Sequence, residues 1–316
     1  MRSFFKTLRE PGWLAITQSP RRFDFVRVQR TPGRLPQVLL AESIERSTND
    51  ANLETIDAAT LTALKKSLRL NQYRLIAVLA AGQYQAILTE VIDGPLNEAR
   101  EIARWKLKDQ VSFSVDTAAI DLLPVPPLGR SPQVYAVLAP ETVMAPLVQS
   151  FQSAKLELAV VDLPEISQRN LSTLLEEEDR GLAMLIFDEF EGLLTFTFGG
   201  ELLVTRHIEI SAGQLQAANA ERQEQLFERI ALDIQRSLDN FDRNYSSISL
   251  SGLVVGTLPG VAGYIDYLRN NLSISVTALK LTDIVDFNAV PALLDPQRQF
   301  QCLRALGAAL REEPLS

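Results

Sequence analysis

One cysteine and one histidine occur among the 316 residues. Cys302 alone excludes an intramolecular disulfide, and its helical apolar surroundings read as a packed residue in a reducing, cytoplasmic setting. Metal binding by a His/Cys cluster is excluded by the same counts. His207 would have to serve any Ser-His-Asp or Cys-His set, and no Gly-x-Ser-x-Gly turn accompanies it, so it reads as structural. No apolar run reaches the roughly 18 residues that cross a bilayer. Phe4-Phe5 is followed by no longer apolar stretch, so no secretory signal is expected. Basic runs are absent as well: 31 Lys and Arg stand against 39 Asp and Glu, a net charge of −8. Such a chain repels phosphate backbones, which argues against a nucleic-acid partner. No tandem repeat of about 20–50 residues recurs, so solenoids and propellers are not expected.

Apolar residues make up 46% and charged residues 22%, the balance of a water-soluble globular chain with room for one two-lobed domain or two ordinary ones. Two segments far apart in the chain share one design. Gly12-Trp13-Leu14-Ala15-Ile16-Thr17-Gln18-Ser19 leads into Phe23-Asp24-Phe25-Val26-Arg27-Val28. Leu185-Ile186-Phe187-Asp188-Glu189-Phe190-Glu191-Gly192 leads into Leu194-Thr195-Phe196-Thr197-Phe198. Each is an apolar strand, a polar turn and an alternating strand, followed by a third strand and a helix. This pattern predicts a duplicated α/β domain with a cleft between its halves.

Periodicity supplies the remaining elements. A hairpin is expected over 13–29, a strand over 37–41, a helix over 56–70, and strands over 74–81 and 84–92. Next come a helix over 95–111, entered at Pro95, strands over 118–123 and 134–138, and a helix over 140–154. A strand over 158–162 and a helix from Leu163 to near Leu175 close the first half. The acidic run Glu176-Glu177-Glu178-Asp179 reads as a solvated boundary, with Ca²⁺ binding as the alternative. A three-strand meander over 182–210 opens the second half. The longest helix, over 218–241, carries Leu226, Ile230, Ile234, Leu238 and Phe241 as one apolar stripe. A strand over 247–255, a helix over 261–272, a strand over 273–279 and a helix over 300–311 complete the chain.

Four groups of residues carry a family resemblance: Glu101-Ile102-Ala103-Arg104-Trp105-Lys106-Leu107-Lys108; Val161-Asp162-Leu163-Pro164-Glu165 with Arg169-Asn170; Gly192-Leu193-Leu194 with Gly199-Gly200-Glu201-Leu202; and Ile234-Gln235-Arg236-Ser237-Leu238-Asp239. In order and spacing they resemble the PilM-like family of type IV pilus assembly proteins, in particular its MSHA-pilus (MshI) branch. The resemblance implies a bilobed actin-like fold of duplicated, ribonuclease H-like α/β design. It implies a first lobe at 1–83 and 155–178, a small α/β subdomain inserted at 84–154, and a second lobe at 179–316. It further implies a scaffold on the cytoplasmic side of the inner membrane, binding the short tail of a PilN-like bitopic protein between the first lobe and the insert. Such a scaffold would relay assembly signals to the platform or its ATPase. On this sequence the groove would involve the 95–111 helix, with Ile102, Arg104 and Trp105 as partner contacts. Core packing is the other reading of Trp105.

The family's interlobe cleft holds ATP. A phosphate turn needs glycines that let backbone N–H groups approach, and an aspartate that positions Mg²⁺. The first turn here offers Thr17, Gln18 and Ser19, with neither Asp nor Gly, and Pro20 removes a donor. The second offers Asp188, but Glu189 and Glu191 stand beside it. At about 4 Å each like-charge contact with a polyphosphate costs on the order of 1–4 kcal/mol without a metal. Gly252 and Gly256 belong to a strand-to-helix turn that resembles the adenosine loop, with Gly252-Leu253 in place of the family's Gly-Gly pair. Glycine turns at helix starts are common without ligands.

The leading expectation is a non-enzymatic scaffold with a degenerate cleft, no catalytic residue and no metal site. An ATP- and Mg²⁺-binding switch of the same fold is the alternative, and a small-molecule kinase of the superfamily is the weaker one. The basic, aromatic segment Met1-Arg2-Ser3-Phe4-Phe5-Lys6-Thr7-Leu8 reads as a loose terminus or a weak surface anchor.

Overall fold

The computed structural model describes residues 9–46, 55–92 and 94–312. The segment Met1 to Leu8 lies outside the described residues. Trp13–Gln18 (β1) and Arg22–Gln29 (β2), buried on both faces, and the more exposed Gln37–Glu45 (β3) build an antiparallel meander. Ala58–Ser67 (α1) follows, capped by Asp57, whose side chain accepts from the Thr60 N–H. Arg74–Val78 (β4) then pairs parallel to β1. After the insert, Leu158–Asp162 (β8) pairs parallel to β4, giving the order β3-β2-β1-β4-β8.

The second lobe repeats this plan. Gly181–Phe187 (β9), Gly192–Phe198 (β10) and Glu201–Ile208 (β11) form the meander. Leu250–Val255 (β12) and Val276–Ala278 (β13) add the parallel strands, in the order β11-β10-β9-β12-β13. Between the meander and β12 runs the 25-residue helix Ala220–Asn244 (α6). Its stripe residues Leu226, Ile230, Ile234, Leu238 and Phe241 are all buried. It begins at Ala220 because the Asn219 side chain accepts from the Arg222 N–H. A short helix, Ala212–Ala217 (α5), precedes it, held by a reciprocal Ser211–Gln214 capping box. Tyr264–Asn271 (α7) connects β12 to β13.

The insert is a three-stranded sheet, ordered Gln85–Glu90 (β5), Gln133–Ala139 (β7) and Ala119–Pro124 (β6). Leu96–Leu107 (α2) packs Ala103 and Leu107 with Ile120, Leu122, Ala136 and Leu138 on one face. Tyr135 and Ala139, on the other face, join the main core together with Val143, Leu147 and Phe151 of Glu141–Ser153 (α3), which also packs on α1. The insert reaches the second lobe as well: the Tyr135 hydroxyl accepts from the Thr205 N–H of β11 at 3.1 Å.

Two helices join the lobes. Pro164–Ser172 (α4) is almost wholly buried, polar residues included. Gln168 of α4 donates to the carbonyls of Met184 (2.7 Å) and Leu193 (3.0 Å) in the second sheet. Pro296–Ala309 (α8), capped by Asp295, packs along α4 and across β1 and β2, so the closing helix returns to the first sheet. It crosses α4 closely at Gly307, where a Cβ would stand 2.3 Å from the Ser167 carbonyl oxygen.

Candidate functional site

The two hairpin turns face each other as the duplicated pattern requires, and side chains bridge them directly. In the first turn the Ser19 hydroxyl oxygen accepts from the Arg22 N–H at 3.2 Å, and the Ser19 N–H donates to the Arg22 carbonyl. Thr17 is buried beside it and Gln18 ends β1, half-buried. The free space around Thr17 and Gln18 is about 20 Å³, little more than one water. Arg22 is fixed by Asp24 (Nε–Oδ2 3.0 Å), which is buried on β2. Burial lifts the Asp24 carboxyl above the ordinary carboxylate range, and Arg22 opposes that lift.

In the second turn Asp188 Oδ1 accepts the N–H groups of Phe190 (2.8 Å) and Glu191 (2.9 Å). Its Oδ2 is ion-paired to Nε of Arg304 on α8. Arg22 reaches across to pair with Glu189. Both oxygens of the aspartate that would position Mg²⁺ are thus spent on protein donors. Among the described residues, no group of three or more His, Cys, Asp or Glu side chains could hold a metal ion. These residues do not fit a metal–nucleotide complex. A larger cavity of about 840 Å³ lies at the rim, walled by Arg21, Arg22, Arg46, Glu189 and Gln216. Gly256 follows β12, at the end of the sheet that carries Asp188. Gly252 sits inside β12 against Ser275, away from the turns, where a Cβ would stand 3.0 Å from the Ser275 carbonyl oxygen.

His207 on β11 joins the same cluster. Its Nδ1 lies 2.6 Å from Glu191 Oε1 and its Nε2 lies 3.1 Å from Glu165 Oε1. Glu165, fully buried at the start of α4, also accepts from the Tyr84 hydroxyl at 2.6 Å. Both ring nitrogens face carboxylates, so both donate and the ring is an imidazolium. The hydrogen bonds to Glu165 and Glu191 raise its pKa to about 10. Tyr84, pushed well above its ordinary pKa by burial and then by Glu165, stays a protonated donor. Cys302 is buried, and burial pushes its thiol to about 11, so it is a protonated packing group.

A second concavity lies between the first lobe and the insert. It is a groove of about 470 Å³ walled by β6 and β8, with Leu79, Val137, Met144 and Ile166 among its apolar lining and Arg169 and Arg311 at its side. Both strands are sheet edges, paired on one side only. The Asp162 carbonyl accepts from the Leu79 N–H on the β4 side, so strand alternation turns the Val161 amide toward the groove. Arg311 pairs with the buried Asp162 at 3.0 Å.

The α2 residues Ile102, Arg104 and Trp105 do not line this groove. They lie on the helix covering the opposite face of the insert sheet. Ile102 is 40% and Trp105 71% exposed, so the core-packing reading of Trp105 does not hold. Arg104 turns inward and donates to the Ala118 carbonyl at 2.8 Å, fastening α2 to the 115–118 segment.

Arg22, Arg304 and Tyr84 are site residues that the sequence pattern does not mark, and Glu165 enters it only within the Val161–Glu165 resemblance. The available signal was a charge inside an apolar run, as in Cys302-Leu303-Arg304-Ala305-Leu306.

In sequence the chain matches no family model and no curated protein. In structure it is similar to a PilM–PilN type IV pilus biogenesis complex, with a TM-score of 0.75 and 18% identity over 95% of this chain and 98% of that one. A Bacteroides thetaiotaomicron protein of actin-like ATPase fold and unknown function aligns at 0.53 with 13% identity, covering 93% and 98%. The cytoplasmic domain of EpsL, an inner-membrane component of the Vibrio cholerae type II secretion system, aligns at 0.51 with 11% identity, covering 95% and 96%. The chain has a bilobed actin-like fold. Among the described residues no helix is long and apolar enough to cross a membrane.

Proposed function

We propose that this chain is a non-enzymatic scaffold of a type IV pilus assembly platform. It binds the cytoplasmic tail of a PilN-like inner-membrane protein as an extended segment between β8 and β6. One observation carries the reading: two unpaired strand edges face one another across an apolar groove. An extended peptide there gains main-chain hydrogen bonds from the edges and side-chain contacts from the groove floor. Structural similarity to a PilM–PilN complex supports it. The motif resemblance narrows the system to an MSHA-type pilus and the chain to an MshI-type scaffold, held peripherally at the inner membrane by its partner and passing signals to the assembly ATPase. Catalysis is not part of the proposal, because the cleft's candidate metal-positioning carboxylate is already bonded to protein donors.

The test is titration of a fluorescent tail peptide from a PilN-like protein encoded with this chain. Val161→Pro removes one outward N–H without breaking a ladder bond, a position where sheets tolerate proline. Tenfold or greater loss of affinity in that variant is expected. Unchanged binding would sink the groove assignment.

A further inference from the structure

The second turn places Asp188, Glu189 and Glu191 within four residues. Like charges this close repel unless countered. Each has its own cation: Arg304 on Asp188, Arg22 on Glu189 and His207 on Glu191. Judged by which sheet each element packs on, two of the bonds in this cluster cross between the lobes. Arg22 comes from β2 and Arg304 from α8 packed on the first sheet, while His207 of β11 reaches Glu165 of α4, which packs on the second sheet. The Arg22 and Arg304 side chains are each only 14% exposed, so bulk salt screens them poorly. Guanidinium groups suit such positions, being permanently charged and weakly hydrated.

We propose that Arg22 and Arg304 clasp the two lobes shut, occupying the place that a divalent cation and phosphates would take in a ligand-closed cleft. Closure is then built into the chain and independent of nucleotide. Any conformational signal through the cleft must work by parting these pairs. The sequence separations of 167 residues for Arg22–Glu189 and 116 for Arg304–Asp188 make both bonds tertiary, formed only when the lobes are in register.

Hydrogen–deuterium exchange on the full chain tests the clasp, read in the segments 17–22 and 187–192. Millimolar Mg-ATP should leave exchange in both segments of the unmodified protein unchanged. Arg304→Gln should speed exchange about tenfold in both turns, since the bonds that hold them share one closed arrangement. Glu189→Gln, a milder change at a partly exposed side chain, should do the same to a smaller degree and covers the case in which Arg304→Gln does not fold. Acceleration confined to 187–192 in both variants would mean a purely local contact and overturn the proposal. Protection of both turns by Mg-ATP in the unmodified protein would overturn it too.

Discussion

His207 Nε2 lies 3.1 Å from Glu165 Oε1, so the single histidine of the chain bonds a buried carboxylate at the start of α4, one of the two helices that join the lobes. Its other nitrogen holds Glu191 of the acidic turn. The imidazolium is therefore a structural cation that ties the acidic turn to the start of α4.

This bond sets a pH dependence. The folded-state pKa of about 10 lies above the ordinary value of 6.5. The stabilisation is therefore complete below about pH 6.5, falls as pH rises, and is gone above about 10. The melting temperature of the unmodified protein should drop more between pH 6.5 and 10 than that of His207→Gln. Parallel pH profiles would contradict a charged His207.

Glu165 is buried and accepts from both Tyr84 and His207. Replacing it by alanine leaves two donors without their acceptor, at a cost of about 2–3 kcal/mol. Urea denaturation should show that loss, and Tyr84→Phe should show roughly 1 kcal/mol.

Gly307 has room for no side chain, since a Cβ there would stand 2.3 Å from the Ser167 carbonyl oxygen. Gly307→Ala should force α8 away from α4 and destabilise the protein by about 1–3 kcal/mol. Because α8 carries Arg304, exchange in the 187–192 turn should rise in the same variant.

Trp105 is exposed on α2, across the insert sheet from the groove. Trp105→Ala should change stability by less than about 0.5 kcal/mol and leave tail affinity unchanged. A tenfold loss of tail affinity would place the partner on α2 instead.

The two lobes are legible because strands buried on both faces, such as β1 and β9, read as short apolar runs bounded by polar turns, and a packed helix such as α6 keeps its stripe. Helix α5 escapes a reading from periodicity, since six residues show no period, although the Ser211–Gln214 capping box marks its start. Periodicity starts α8 at 300, four residues late, because its first turn is marked by the Asp295-Pro296 cap and not by an apolar repeat. The acidic second turn was visible as a departure from a phosphate turn, but its counter-charges were not. Arg22 and Arg304 lie 167 and 116 residues from their partners, and local pattern carries no such information. The groove was hidden for a related reason. Its walls are the edge strands of two different sheets, and only strand order reveals which strands are edges.

The central claim is best tested by hydrogen–deuterium exchange of the protein with and without the PilN-like tail peptide. The account predicts slowed exchange in 119–124 and 158–162, the two groove edges, and no change in 96–107. Protection confined to 96–107, with both edges unaltered, would contradict it.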